Sequence, residues 1–399
     1  MNFLETFLHY TREAESPRSF FTWTGLASIS ATLRSSVWQE WQYNKLYPNI
    51  FVLLIGPPAV GKALPMKLSS KLLKSAGVVK VIEGSASMQA VIKTLGSYEG
   101  GAKGASCILY AEELSSFYVE DKKTNDLLTD LSDFHEKWER NLISWNATLK
   151  DVCICMLAGS NETLLGDIFD SRAIYGGLLS RTFTVIEKRK FRRDPLVRKN
   201  ELVDTKDWSA LETHIKNLSK IHGEIVFEED ALKEFEHWYN VEWEDFENNP
   251  RTRTGIEGRM KTHVKKVAML LAMCEKDLDK VIKREHIVTS IEMCVGLYKN
   301  YQVLSMEAPQ TINGINPAAI LLRLLQQSRD HELDRVTILR RNLGELTVEV
   351  LDNVVLQLTQ AELINEVMEG TKILYRLSPE GIALYEQAKK NVNGKVEHE

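Results

Sequence analysis

Residues 51–62, FVLLIGPPAVGK, constrain the fold of this 399-residue chain more than any other stretch. A short apolar run reads as a buried parallel strand, and it stops abruptly at Gly56, Pro57 and Pro58. Ala59, Val60, Gly61 and Lys62 complete the spacing GxxxxGK, and ALPMKLSSKLLKSAG after them reads as a helix. Strand, glycine loop and helix in that order turn backbone N–H groups and a helix N-terminus toward phosphate oxygens. Lys62 then reaches the β/γ oxygens as a point charge. An ordinary Gly/Pro turn would explain the loop alone. The full context reads as a nucleotide-binding P-loop.

The position after the lysine departs from this pattern. A Ser or Thr hydroxyl there would ligate Mg²⁺, whereas this chain has Ala63, and Ser69 and Ser70 lie about two turns further along the helix. Two readings stay open: a substitution that slows hydrolysis, or a natural site that holds its metal poorly. Both predict that Ala63→Thr or Ala63→Ser raises ATPase activity in a phosphate-release assay. Flat turnover would mean that the missing ligand was never limiting.

A chain of this length has room for two or three domains with real cores. No apolar run approaches the ~20 residues of a membrane span, and MNFLETFLHYTREAES is amphipathic, acidic and without a small-residue cleavage site, so neither a membrane segment nor a signal peptide is expected. The five cysteines (107, 153, 155, 274 and 294) sit in apolar segments. The Cys153/Cys155 pair has no second pair or His cluster to make it a metal site, so core packing and a reducing, cytoplasmic setting are expected. The net charge of −5 excludes a globally basic DNA coat, so any nucleic-acid surface must be local.

Residues 1–45 read as two helices broken at Ser16-Pro17, whose aromatics Phe20, Phe21, Trp23 and Trp38 suit a core better than base stacking. After the loop helix come a short strand in VVKVIEG, a helix MQAVIKTLGS capped from Ser85-Ala86-Ser87, and a glycine-rich loop. CILYAEEL is then a buried strand that delivers Glu112 and Glu113 beside the phosphates. Glu112 is the expected Mg²⁺ ligand through water, and Glu113 the residue that polarises the attacking water. LLTDLSDFHEKWER reads as an amphipathic helix, and NLISWNATLKDVCICMLAGSN as a ribbon running into a strand that ends at Ser160-Asn161. Ser160 serves equally as a helix cap for ETLLGDIFD, and Asn161 is the candidate for holding the attacking water or the γ-phosphate. Arg181, just before the strand TVIEK, is either a surface residue or a finger offered to a neighbouring subunit's nucleotide.

GPPAVGK, ILYAEE, LAGSN and GGLLSR, in that order, resemble Walker A, Walker B, sensor 1 and the arginine finger of an AAA+ ATPase. The LLSR-before-strand form is similar to the minichromosome maintenance helicases. The leading helices with YPNIFVLLIGPP resemble the helicase-like ATPases of phages, plasmids and genomic islands. The similarity covers roughly residues 1–305. It implies an α/β three-layer core at 46–220 with ATP and Mg²⁺, an N-terminal helical segment at 1–45 and a helical lid at 221–308. It also implies a homo-oligomer, most simply a hexameric ring. In that frame Arg259 is the sensor 2 candidate reaching the nucleotide from the lid, with Arg251 and Arg253 behind it. Ala63, and Glu112 where aspartate is usual, are the departures.

KRKFRRDPLVRK (188–199), with seven basic residues against one acid, suits either a DNA channel or a solvated linker. From Val226 the pattern is helical, with Val264, Val267, Ala268 and Leu271 forming one packed face. After a linker at MEAPQTINGINP, residues 314–399 read as three helices, a hairpin turning at Glu369-Gly370 and a closing helix, an order that resembles a winged helix. Its third helix has no Lys or Arg, and the segment holds ten basic and thirteen acidic residues. Gln357, Gln360, Lys372 and Arg376 remain for a few DNA contacts, so docking of a replication or element-encoded protein is favoured there. The expected function is an ATP-driven DNA helicase or replication motor of a mobile element. The rival is a nucleotide-switched loader or recruiter that does not travel on DNA.

Overall fold

The strand leading into the glycine loop, Phe51–Ile55, has all five residues buried, so both faces of its sheet are covered. A computed structural model describes residues 2–41, 43–84, 88–96, 104–114, 124–142, 145–161, 177–194, 205–247, 256–307, 317–341, 348–369 and 372–382. The chain divides into two units, Met1–Leu304 and Ser305–Glu399.

The first unit opens with helix α1 (Phe3–Tyr10), started by a capping box in which Asn2 and Glu5 satisfy each other's backbone N–H groups. Helix α2 (Arg18–Leu33) follows Pro17, as the sequence indicates, and is buried nearly all round, with Phe20, Phe21 and Trp23 in the core. Burying each such ring is worth about 1.5–3 kcal/mol. Base stacking by these three rings is therefore excluded.

A short hairpin, β1 (Val37–Trp41) and β2 (Asn44–Leu46), precedes β3 (Phe51–Ile55). Helix α3 (Ala63–Ala76) follows the loop and ends at Gly77, whose φ of 69° is the left-handed cap that glycine permits. Next come β4 (Val81–Glu83), α4 (Met88–Gly96), β5 (Ser106–Ala111), α5 (Thr124–Leu131), β6 (His135–Leu142), β7 (Trp145–Ser160) and β8 (Thr182–Ile186). The sheet order is β4-β5-β7-β3-β8, all parallel, with β6 antiparallel to the first half of β7. A buried hydroxyl chain ties the layers: Ser69 Oγ lies 2.6 Å from both Ser28 Oγ on α2 and Tyr110 OH on β5.

Two elements of this part differ from the sequence reading: residues 1–45 are not helical throughout, because Val37–Trp41 and Asn44–Leu46 pair as the β1–β2 hairpin. The helix expected through LLTDLSDFHEKWER stops at Leu131, and His135–Leu142 is a strand. Its polar residues look helical in isolation, but cross-strand pairing from His135↔Val152 to Leu142↔Trp145 decides the outcome. Trp138 is buried, its indole N–H donating to Asp130 Oδ2 at 2.6 Å.

The rest of the first unit contains α6 (Thr205–Leu218), a two-residue strand β9 (Gly223–Glu224) on β1, and β10 (Val226–Phe227), which pairs with β11 (Val281–Ile282). Between these last two lie α7 (Glu229–His237), α8 (Glu244–Glu247) and α9 (Met260–Ala272); α10 (Arg284–Glu307) follows. Val226 and Phe227 thus start the region as strand rather than helix. On α9, Val264, Val267 and Ala268 are buried as the periodicity indicates.

His263 on α9 stacks 4.5 Å from Phe183 of β8. Burial first, then the nearby Lys266 and Arg259 charges, push its pKa down to about 3. The unfolded chain takes up this proton first, near 6.5. His263 therefore contributes full stability above that pH, and the contribution is lost as pH falls toward about 3, up to about 5 kcal/mol. Urea unfolding across this range should show the loss, and His263→Phe should flatten it.

The second unit packs α11 (Pro317–Gln327), α12 (Arg335–Arg341) and α13 (Val348–Gln360) on an antiparallel sheet. The sheet order is β12-β14-β13, from β12 (Glu332–Asp334), β13 (Ile364–Glu369) and β14 (Lys372–Leu377). The expected hairpin is present, and β12 is an additional strand. Ile320, Leu321, Ile338, Leu351 and Tyr375 fill the core. Arg376 is held by Glu332 at 2.5 Å, and Arg335 by Asp352 at 2.5 Å.

All five cysteines are free and buried. Among the described residues no helix is long and apolar enough to cross a membrane. The Ser85–Ser87 cap, most of the 98–106 loop, the helix expected after Asn161, most of the 306–317 linker and most of the closing helix lie outside the described residues.

Candidate nucleotide-binding site

Three adjacent strands end together. In β3–β7–β5 the registers Ile55↔Ser160 and Ala111↔Ala158 bring Gly56, Asn161 and Glu112 to one edge of the sheet. The Gly56 N–H donates to Ser160 O at 3.3 Å, so the glycine loop leaves the sheet fixed to the neighbouring strand. Gly159 shows how close the approach is. A Cβ there would lie 2.5 Å from Glu112 O and 3.8 Å from Lys62 Cδ.

The loop residues Gly56, Pro57, Pro58, Ala59, Val60, Gly61 and Lys62 form a reversal in which Ala59 (φ 66°) and Gly61 (φ 105°) are left-handed. Alternating handedness of this kind turns successive N–H groups inward as an anion nest. Lys62 Nζ donates to Gly56 O at 2.5 Å. Burial pushes its pKa down, and the negative charge of Glu113 opposes the shift, which places that carboxylate within electrostatic reach of the ammonium. Glu113 Oε1 is buried and has no hydrogen-bond partner. An acceptor held dry beside a lysine suits a water-activating base.

Two segments wall the loop. A Cβ on Gly61 would meet Ser16 Oγ at 2.6 Å, and one on Gly56 would meet Glu187 O at 2.4 Å. The Ser16 turn is itself clasped to residues 187–194. Glu15 accepts from the Asp194 N–H and Lys190, Glu13 pairs with Arg192, and Ser19 donates to Glu187. These bonds hold the Glu15 carboxyl below its ordinary pKa. They also engage two cations of the 188–199 run, Lys190 and Arg192, while Lys188, Arg189 and Arg193 are further exposed basic members among its described residues.

The arginines stand elsewhere. Thr182 pairs with Phe51, so Arg181 lies at the opposite end of the five-residue strands from the loop, roughly 16 Å away. Its Nη1 donates to Gly177 O at 3.0 Å, and Nε sits 3.5 Å from Asp133 Oδ2. Arg259 is beside it: burial and then the Arg181 charge push its pKa down, and Asp133 opposes them. Nearby, Lys266 is half-buried and donates to Asn49 O (2.7 Å) and Oδ1 (3.1 Å), fastening α9 to the start of β3. The structure thus brings Arg259 to Arg181 and not to Lys62. Arg251 and Arg253 lie outside the described residues.

The donor set for magnesium is thin. Ala63 offers no oxygen, Ser69 is committed to Ser28 and Tyr110, and Ser70 donates to Glu83. Glu112 is paired with Lys67, whose Nζ is 3.4 Å from Oε1. Among the described residues no three His, Cys, Asp or Glu side chains gather as a metal site. The residues present do not fit a magnesium ion held by protein side chains.

Lys67 is the main residue that sequence reasoning missed, although its i+4 spacing from Ala63 carries the signal. Ser16, Glu187 and Asp133 have no such signal, because only tertiary packing brings them in. A surface groove of about 670 Å³ lies along α6 by Ser209, Thr213 and Lys276. Its His214 is already bonded to Met273 O at 2.9 Å, and the groove lacks the converging loop amides of the strand edge. Against known proteins, the chain matches no family model and no curated sequence.

Proposed function

We propose that this chain is an AAA+ ATPase whose nucleotide is shared between copies. The observation that carries this reading is the convergence of the Lys62 loop, Glu112–Glu113 and Asn161 at one sheet edge, with Arg181 and Arg259 at the other. A strand inserted between the loop strand and the carboxylate strand is what an AAA+ core requires. Lys62 and the loop amides hold the triphosphate, Glu113 orients water, and Asn161 holds that water or the γ-phosphate. Arg181 and Arg259 lie too far from their own loop to serve it, so they complete the site of a neighbouring copy. This makes a closed ring the natural working state.

The preferred output is movement on DNA, as a helicase-like replication motor of a mobile element. A loader or recruiter is the second reading, favoured by Ala63 and by the second unit. There the three helices and β12–β14–β13 support the winged-helix reading, but Arg335 and Arg376 are neutralised by Asp352 and Glu332. Val348, Leu356 and Met368 are exposed apolar side chains in the same unit. ATP-dependent strand displacement by the Ala63→Thr protein separates the two readings. Robust ATPase without unwinding supports the loader.

A further inference from the structure

We infer that Lys67 takes the place of a divalent cation, so that the chain binds a nucleoside triphosphate without magnesium. The inference rests on the nucleotide-site reading above and holds for either output. Position 63, where a hydroxyl would hold the metal, is a methyl group, and the next hydroxyls on α3 are committed to Ser28, Tyr110 and Glu83. One turn beyond Ala63 on the same helix face, Lys67 directs its ammonium to Glu112, the carboxylate that a metal would need, at 3.4 Å. Both side chains are about two-thirds exposed, 68% and 67%. A pair so exposed adds little to folding stability, so its meaning lies in where it puts the charge.

An ammonium has three donors and no acceptor. One can stay on Glu112 while the others turn to phosphate oxygens, bridging carboxylate and phosphate. Lys62 approaches from the loop side, so the space at the end of β5 and β7 is flanked by two cations. Lys67 supplies charge but no Lewis acid and no ordered metal-bound water. The arrangement therefore favours holding nucleotide over hydrolysing it, in keeping with the expected gain from Ala63→Thr.

The test is fluorescence titration of the full chain with a fluorophore-labelled ATP, in magnesium and in excess EDTA. Wild type should bind in both, with Kd changing by no more than about threefold. Lys67→Ala should weaken binding about tenfold or more in EDTA and much less in magnesium. Lys67→Arg should keep the magnesium-free binding, and thermal melts check that each variant folds. If wild type loses tenfold in EDTA and Lys67→Ala merely follows it, the inference is overturned while the nucleotide site stands. If wild type binds labelled ATP in neither buffer, or Lys62→Ala binds as wild type does, the site reading itself falls and takes this inference with it.

Discussion

Arg181→Ala is expected to lower ATP turnover by about 10³-fold or more while leaving nucleotide binding nearly unchanged. The measurement belongs in an Ala63→Thr background, where turnover is large enough to read. The direction follows from position. Arg181 immediately precedes β8, a strand length from its own loop, so under the shared-site proposal its removal spares the Lys62 end and takes a guanidinium from the neighbouring copy's site. Mixing Arg181→Ala with Lys62→Ala chains then restores part of the rate, because about one junction in four pairs an intact loop with an intact arginine. A mixture as inactive as its components, with assembly intact by mass measurement, would put the arginine and the lysine in separate tasks. Loss of nucleotide binding by Arg181→Ala alone would do the same.

Lys62→Ala has the second large effect, on binding itself. Hydrogen bonds to a charged group contribute about 1.5–3 kcal/mol each, so losing the ammonium weakens triphosphate binding by about 100-fold. Stability should hold or rise slightly, since burial disfavours this charge in the folded chain and its bond to Gly56 O is intraloop. Isothermal titration gives the binding loss and a thermal melt gives the stability. An unaltered Kd would move the nucleotide away from the glycine loop altogether.

Much of the site was legible because it is local. Residues 56–62 are contiguous, and Glu112, Glu113 and Asn161 each follow directly on a buried apolar run, so a strand-end reading places them without tertiary information. What escaped was set by distant partners. HEKWERNL has the composition of a solvated helix and becomes a strand only because β7 offers it a register. Val226 and Phe227 pair with Val281 and Ile282, over fifty residues away, and no local pattern announces that. The sequence makes Arg259 a candidate for reaching a nucleotide and gives no sign of its neighbours in space. Its position beside Arg181 depends on how α9 lies against β8, fixed by His263 on Phe183 and by Lys266 on Asn49. The opposite holds for Lys67, whose spacing was visible and whose meaning required seeing Glu112 across from it.

The wall formed by Ser16 has a practical consequence for anyone handling the protein. The turn at 11–17 abuts Gly61 and is laced to residues 187–194, so the N-terminal helices form a handle fixed to the glycine loop of the proposed nucleotide site. A protease nick in that turn acts one side chain away from the glycine loop. Trimming residues 1–17 should therefore register first as weakened nucleotide retention, before any change in what the second unit binds.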